Sequence, residues 1–277
     1  MRHSARHPAW KWIAAGVFCC VVAQTATAQV AQALKIDRMR TVTCIFGPVR
    51  QTQEVQPFEK LVLLYDINGA ALDAEGKASL MINMVWKGPD GGEVARFSTP
   101  LSAQHVFGGP VPGYGTVTFP GHAPPGVYSM ELVVEDKISG ATARGAYSIT
   151  LTPARFDLVN ARYALVSKEG PERPNSFCVS DKMFLLMDAV GFSTAGNRVE
   201  LSMDVVVQEA DGKTLYSFKD MVKLSQAFPE GGQRNVGFDL WLNLTRAGKF
   251  VAVVTIKDGV GGQTITKSFP FDVLAAN

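Results

Sequence analysis

Few side chains in this sequence are of the types that perform acid-base or nucleophilic chemistry. Its four histidines stand at positions 3, 7, 105 and 122, and serine-type hydrolysis needs an imidazole base beside the nucleophile. No G-x-S-x-G turn, which would present a nucleophilic serine, is found in the sequence. We therefore expect no catalytic residue and no enzyme. The alternative is a hydrolase with an unrecognised site at an interface between domains, where His105 or His122 would meet a carboxylate.

Metal binding is the second chemistry that the residue types allow. The cysteines outside the N-terminal segment, Cys44 and Cys178, are scattered and show no zinc-ligand spacing with the histidines. Asp66, Asn68 and Asp73 form a weak calcium candidate, since several oxygen ligands around one turn suit a hard cation. The flanks of this turn have strand character, unlike an EF-hand, and a polar turn is the favoured interpretation. We expect no metal and no cofactor.

A segment rich in glycine and proline is the most unusual local composition. In residues 108–126, GGPVPGYGTVTFPGHAPPG, 11 of 19 residues are Gly or Pro, whereas the related segment 231–248 has no proline. Residues 116–119 are predicted to form a strand. A solvated connection shaped by turn requirements is the favoured interpretation of the rest, and a stiff, exposed recognition loop that presents Tyr114 and His122 for binding is the alternative.

The first 28 residues are typical of an export signal. Arg2, Arg6 and Lys11 precede an apolar run over residues 12–23, and residues 26–28, Ala-Thr-Ala, provide a cleavage site. A retained membrane anchor is less favoured because a spanning helix needs about 20 apolar residues. We expect a periplasmic or secreted, cell-envelope protein with no membrane span after cleavage.

The charge balance excludes one class of partner. Cleavage would remove three of the 27 basic residues and none of the 25 acidic ones, leaving a net charge near −1. Nucleic-acid binding needs a basic surface. We therefore expect no nucleic acid as a partner.

The chain contains an internal repeat with an offset of 122 residues. Residues 124–140, PPGVYSMELVVEDKISG, align with 246–262, RAGKFVAVVTIKDGVGG, and residues 59–66 align with 181–188. The boundary should fall at residues 152–154. We predict a first domain over 29–152 and a second over 153–277.

Within each repeat the apolar residues alternate with a period of two, which predicts strands with one buried face. Asn-Gly, Asp-Gly and Gly-Gly pairs between them supply tight reversals. The strands expected in the first repeat lie near 34–45, 59–66, 78–87, 93–98, 115–120, 126–136 and 143–152. The predicted core residues are Leu80, Ile82, Met84, Trp86, Tyr128, Met130, Leu132, Val134, Tyr147, Ile149 and Leu151, with Leu201, Met203, Val205, Val207, Phe250, Ala252, Val254, Ile256, Phe269, Phe271 and Val273 in the second.

These patterns predict an all-β fold of two tandem antiparallel sandwiches. Gly126-Val127-Tyr128, followed by alternating apolar residues and Gly140, resembles the last two strands of immunoglobulin-like or fibronectin type III-like modules. The chain is similar to repeated modules of secreted bacterial proteins that carry no named function. The resemblance implies a fold only, because no binding or catalytic residue can be transferred from it.

Cys44 and Cys178 occupy different positions within the repeat. If strands alternate in direction, each lies at the far end of its own domain, beyond the Cα separation of about 7 Å that a disulfide allows. We expect free thiols, with an interdomain disulfide as the alternative in an oxidising compartment.

The sequence therefore predicts a non-catalytic binding or structural protein of the envelope, whose partner is a protein or a glycan. A second hypothesis is an inhibitor or chaperone-like module that inserts the 108–126 loop into its partner. Doubled sandwiches offer edges and loops suited to such contacts.

Overall fold

The computed structural model describes residues 33–104, 109–228 and 235–275. The predicted export signal, residues 1–28, lies outside them. Within the described residues every regular element is a strand, and no helix is long and apolar enough to cross a membrane. The strands are β1 (Lys35–Val42), β2 (Glu54–Val55), β3 (Lys60–Asn68), β4 (Lys77–Lys87), β5 (Glu93–Gln104), β6 (Val111–Thr118), β7 (Gly126–Asp136), β8 (Thr142–Leu151), β9 (Asp157–Leu165), β10 (Glu172–Arg173), β11 (Ser176–Cys178), β12 (Lys182–Val190), β13 (Arg198–Glu209), β14 (Thr214–Ala227), β15 (Asn235–Asn243), β16 (Gly248–Asp258) and β17 (Thr264–Leu274).

The strands form two β-sandwiches, which confirms the predicted all-β fold. In the first, a sheet of order β1-β3-β6 faces a sheet of order β2-β8-β7-β4-β5. In the second, β10-β9-β12-β15 faces β11-β17-β16-β13-β14. The long strand pairs are antiparallel, while the short β2 and β11 pair in parallel with β8 and β17. The strand order of both five-stranded sheets is thus the same, in support of the predicted repeat.

Each sandwich buries its own hydrophobic cluster. The predicted core residues are buried in both, except Tyr147 and Phe269, which are partly buried. The alternation works because successive side chains of a strand point to opposite faces of its sheet. Two clusters support the predicted division into residues 29–152 and 153–277, which stays a prediction. Both sandwiches belong to one compact unit.

Two strands differ from the predicted bounds for identifiable reasons. Strand β5 continues to Gln104, six residues beyond the expected end, through Pro100. It is an edge strand, where the missing N–H of a proline breaks no pairing.

Strand β6 corrects the interpretation of the glycine-rich segment. It begins at Val111 and pairs with β3 from Val111 to Thr118, so Tyr114 lies in a strand and not in a loop. A Cβ at Gly113 would overlap the ring of Tyr65, and one at Gly115 would overlap Met84. These glycines therefore make room for large core side chains within a strand, and they do not mark a loop.

Two buried aspartates organise equivalent hairpins. Asp136 ends β7 and Asp258 ends β16, and both are almost fully buried. The carboxylate of Asp136 accepts a hydrogen bond from the backbone of Ala71, and that of Asp258 from the backbone of Ser193, at 2.7 and 2.8 Å. Each aspartate thereby fastens the β3–β4 or β12–β13 connection to the end of the neighbouring hairpin.

Tyr128 supports the immunoglobulin-like resemblance. It lies near the start of β7, and its hydroxyl donates a hydrogen bond to the carbonyl of Pro124 at 2.9 Å. A tyrosine that bonds back to the chain a few residues upstream is a feature of such sandwiches. In the second sandwich Phe250 replaces this tyrosine, and the guanidinium of Arg246 lies 5.5 Å from its ring centre.

Candidate functional site

The junction between the two sandwiches is held by Asn160 of β9. Its side-chain oxygen accepts a hydrogen bond from the backbone N–H of Lys60 at 2.6 Å, and its amide donates to the carbonyl of Phe58 at 3.0 Å. The same amide donates to the carboxylate of Asp188 in β12 at 2.7 Å. One side chain thus joins the first sandwich to two strands of the second.

A local irregularity of the backbone puts Asn160 in this position. The pairing of β9 with β12 shifts register around it, and its φ is 58°. Asparagine tolerates this left-handed region better than most residues. Arg38 occupies the equivalent place in β1, with a φ of 52° and an ion pair to Asp66 at 3.6 Å. Both repeats therefore contain the same bulge. Arg38 uses it for a contact within the first sandwich, and Asn160 uses it for contacts across the junction between the sandwiches.

A second group of polar contacts lies beside it. Gln56 accepts a hydrogen bond from the backbone of Arg155 at 3.0 Å and lies 3.5 Å from the carboxylate of Asp157. Asp157 also pairs with Lys267 at 2.7 Å. Side-chain hydrogen bonds and an ion pair therefore reinforce the short connection between β8 and β9.

Two clefts open on either side of Asn160, and both are lined by Thr43, Cys44 and Asn160 itself. The first, which we call the apolar cleft, has a volume of about 580 Å³, and Phe46, Tyr163 and Phe269 contribute to its walls. Small-ligand sites usually measure some 300–1,000 Å³ and are lined by apolar and aromatic side chains with a few polar groups. The size and lining of the apolar cleft agree with that description.

The second cleft, which we call the polar cleft, has a volume of about 530 Å³. Its floor is the outer face of the β9-β12-β15 sheet, where Leu186 lies opposite both Arg162 and Asp239. Phe58 and Lys60 of the first sandwich form part of its wall. Both sandwiches are needed to form the cleft, because neither supplies the floor and this wall alone.

The ionisable groups at the back of the clefts are poorly suited to nucleophilic catalysis. Burial, followed by the neighbouring Glu172 carboxylate, raises the pKa of the Cys44 thiol to about 11. Burial also raises the pKa of Tyr163, whose hydroxyl donates to the carbonyl of Pro270 at 2.8 Å. The thiolate is the nucleophilic form of cysteine, and at neutral pH Cys44 is a thiol.

The two cysteines occupy different surroundings. Cys44 and Cys178 are both free thiols. Cys178 is exposed at the end of β11, but Cys44 lies at the junction beside Glu172. The expectation that Cys44 sits at the far end of its sandwich was wrong, because the chain turns back after β1 along the interface.

The binding residues predicted from the sequence are not brought together with these clefts. Tyr114 is 60% exposed on β6, and His122 is exposed in the turn before β7. Neither lines the polar or the apolar cleft. His105 lies outside the described residues. A role of Tyr114 and His122 in binding stays a prediction.

Each of the three residues of the calcium candidate has a protein partner. Asp66 faces Arg38, the amide of Asn68 donates to Asp37 at 3.1 Å, and Asp73 accepts two backbone N–H groups of its own turn. Across the part of the chain that the structure describes, no three His, Cys, Asp or Glu side chains gather as a metal site. These contacts agree with a polar turn.

Sequence reasoning missed Asn160 and the charged floor around it. One signal was available: Asp66 and Asp188 are equivalent in the repeat, whereas Arg38 is replaced by Asn160. The aspartate is the same in both repeats, but its partner is Arg38 in the first and Asn160 in the second. This difference indicates that the second repeat makes a different contact at this position.

Comparison with known proteins assigns no family to the chain. No protein-family model and no curated protein matches it. Among solved structures it is similar to the C-terminal domain of a Streptococcus pyogenes antigen I/II-family protein, with 11% identity over 87% of this chain and 100% of that one, at a TM-score of 0.29. It is also similar to red sea bream transglutaminase, with 10% identity over 88% of this chain and a TM-score of 0.27, and it spans 31% of that enzyme. Likenesses of this size establish neither a shared fold family nor an activity.

Proposed function

We propose that the chain is a non-catalytic binding protein of the bacterial periplasm or cell envelope, which holds a protein or glycan partner at the junction of its sandwiches. The observation that carries the proposal is the hydrogen-bonded junction at Asn160 together with the two clefts that this residue lines. The envelope location rests on the predicted export signal in residues 1–28. The predicted repeat has a purpose in this proposal, since two sandwiches are needed to build the clefts.

The lining of the clefts favours binding over hydrolysis. The rival hypothesis, a hydrolase at the interface, needs a base and a nucleophile in the same pocket. His122 lies outside both clefts, and the pKa of Cys44 is raised to about 11. Among the described residues, aromatic, amide and charged side chains line the clefts, and these are groups that position a bound ligand.

Filling the polar cleft tests the proposal. Gly237 lies on its floor, and a Cβ there would meet only the Asp188 carboxylate, at an ordinary contact distance of 3.5 Å. Gly237→Leu should therefore leave the fold intact and obstruct the cleft. Ser217→Leu adds the same side chain at an exposed position of β14 and serves as the matched control.

The assay is capture of envelope proteins and glycans from the native bacterium by the immobilised chain. We expect one partner to be retained by the wild type and by Ser217→Leu and to be lost with Gly237→Leu. A partner that Gly237→Leu retains in full, or no partner in any growth condition, would contradict the proposal.

A further inference from the structure

Six charged side chains line the polar cleft, and their charges balance. They are Lys60, Arg162, Lys168, Glu172, Asp188 and Asp239. Among the described residues, none of the six forms an ion pair. Charges elsewhere in the second sandwich do pair, as Lys257 does with Asp204 at 2.6 Å. The cleft thus holds cations and anions that are close neighbours yet free to meet charges of both signs on a ligand.

The sheet register places Arg162 and Asp239 on opposite sides of the floor. Leu186 of β12 pairs with Arg162 on one side and with Asp239 on the other, and residues directly opposite in a sheet share a face. Two strand spacings of about 4.8 Å put the backbones of Arg162 and Asp239 about 10 Å apart. An extended peptide advances about 3.3–3.6 Å per residue, so two or three residues span this distance.

Arg162 is arranged in advance for an anion. Its guanidinium donates to the carbonyls of Lys168 and Gly170, at 2.9 and 3.4 Å. A guanidinium has five N–H groups in a rigid plane, and these two bonds fix that plane while leaving other N–H groups unused. A carboxylate that meets such a group forms a charge-assisted hydrogen bond.

The opposite side of the floor is arranged for a cation. Asp188, whose carboxylate already accepts a hydrogen bond from Asn160, lies opposite Gly237, and Asp239 follows Gly237 by two residues on the same face of β15. Glu172, of which one buried carboxylate oxygen has no hydrogen-bond partner among the described residues, does not belong to this side, because β10 lies beyond β9 and Arg162 in the sheet.

We infer that the polar cleft binds a short zwitterionic peptide, with its carboxylate on Arg162 and its free ammonium on the acidic side at Asp239. The inference goes beyond the proposed function, whose partner is a protein or a glycan, and assigns a free peptide to the polar cleft. Leu186 lies under the middle of the peptide, where small apolar side chains fit. Both termini of the peptide are recognised, so the ligand is a free peptide and not an internal stretch of a longer chain.

The test is calorimetric titration of the purified chain with dialanine and trialanine, and with the same peptides N-acetylated or C-amidated. We expect saturable binding of at least one free peptide, weakened at least about tenfold by blocking either terminus, since loss of one charged contact corresponds to about that factor. Asp239→Asn should weaken the free peptide while leaving the affinity for the acetylated one unchanged. Arg162→Met should weaken binding of the free peptide while leaving the affinity for the amidated peptide unchanged.

The outcomes separate this inference from the proposed function. Absence of binding, or equal affinity for free and blocked peptides, overturns the inference. If the captured envelope partner is nevertheless lost with Gly237→Leu, the proposed function stands with another ligand. Melting temperatures of the variants, measured beside each titration, identify a variant that has failed to fold. If Arg162→Met fails to fold, the titration of Asp239→Asn, a change at an exposed position, tests the inference.

Discussion

Replacing Asp136 by asparagine removes a charge that the fold has enclosed in hydrogen bonds. The Asp136 side chain is fully buried. Its carboxylate accepts bonds from the backbone N–H of Ala71 at 2.7 Å, of Ile138 at 2.9 Å and of Ser139 at 3.3 Å, and from the Ser139 hydroxyl at 2.8 Å. Asparagine has nearly the same shape, so Asp136→Asn tests these bonds with little change in packing.

The magnitude follows from which bonds the amide can keep. One side-chain oxygen can still accept from Ile138 and Ser139, but the amide nitrogen replaces the oxygen that faces Ala71, so two donors oppose each other. A buried donor left without a partner costs about 1–3 kcal/mol, and bonds to a charged acceptor are each worth about 1.5–3 kcal/mol. Allowing for the bonds that persist, we expect a loss of about 3 kcal/mol. For a chain of this size that corresponds to a melting temperature lower by about 6–12 °C.

Differential scanning calorimetry at pH 7 measures this loss. Asp258→Asn is the matched variant, because the Asp258 carboxylate accepts equivalent bonds from Ser193, Val260 and Gly261 at 2.8–3.0 Å. Both variants should lower the melting temperature by similar amounts. A shift below about 2 °C for Asp136→Asn would show that water replaces these bonds without cost, and the reasoning would fail.

The pH dependence gives an independent check. Burial raises the pKa of Asp136, but the hydrogen bonds from Ala71, Ile138 and Ser139 outweigh it, and the pKa lies below its ordinary value. A carboxyl group with a lowered pKa in the folded state stabilises above its unfolded pKa of about 3.9, and this contribution disappears as the pH falls through the folded-state value. The stability gap between the wild type and Asp136→Asn should therefore be constant from pH 7 to about pH 5 and shrink below pH 4.

Three further predictions concern the junction, the tyrosine at β7 and the thiols. Asn160→Ala removes the hydrogen bonds to two backbone groups of the first sandwich and should lower the free energy of unfolding by about 2 kcal/mol. Proteolysis between β8 and β9 should become faster, and an unchanged cleavage rate would contradict the role of Asn160 at the interface. Tyr128→Phe deletes the hydroxyl that bonds to Pro124, and a loss of about 1 kcal/mol is expected in urea unfolding, against none if the bond is immaterial. At pH 8 the exposed Cys178 should react with an aromatic disulfide reagent well before Cys44, whose pKa is raised to about 11, and a single fast phase for both thiols would refute this.

Much of the fold could be predicted because its signal is local. The alternation in β4, with Leu80 and Trp86 buried as expected, follows from the two-residue period of a strand and needs no knowledge of its neighbours. Turn residues then separate seven of the eight strands in the first sandwich, while the two-residue strand β2 was not predicted. The same kind of signal misled the interpretation of Gly113 and Gly115, since a glycine required by a turn and a glycine required by a large side chain opposite look identical in sequence.

The sequence by itself thus determined which side chains are buried and that two sandwiches follow one another, because burial in a strand is set by position along the chain. Only the tertiary structure decided that Asn160 bonds to the backbone of the first sandwich, and that Arg162 and Asp239 lie on one floor with Leu186 between them. These arrangements depend on strand register and on the angle between the sandwiches. Register and angle are set by contacts between residues far apart in the chain, so the local alternation of residues does not predict them.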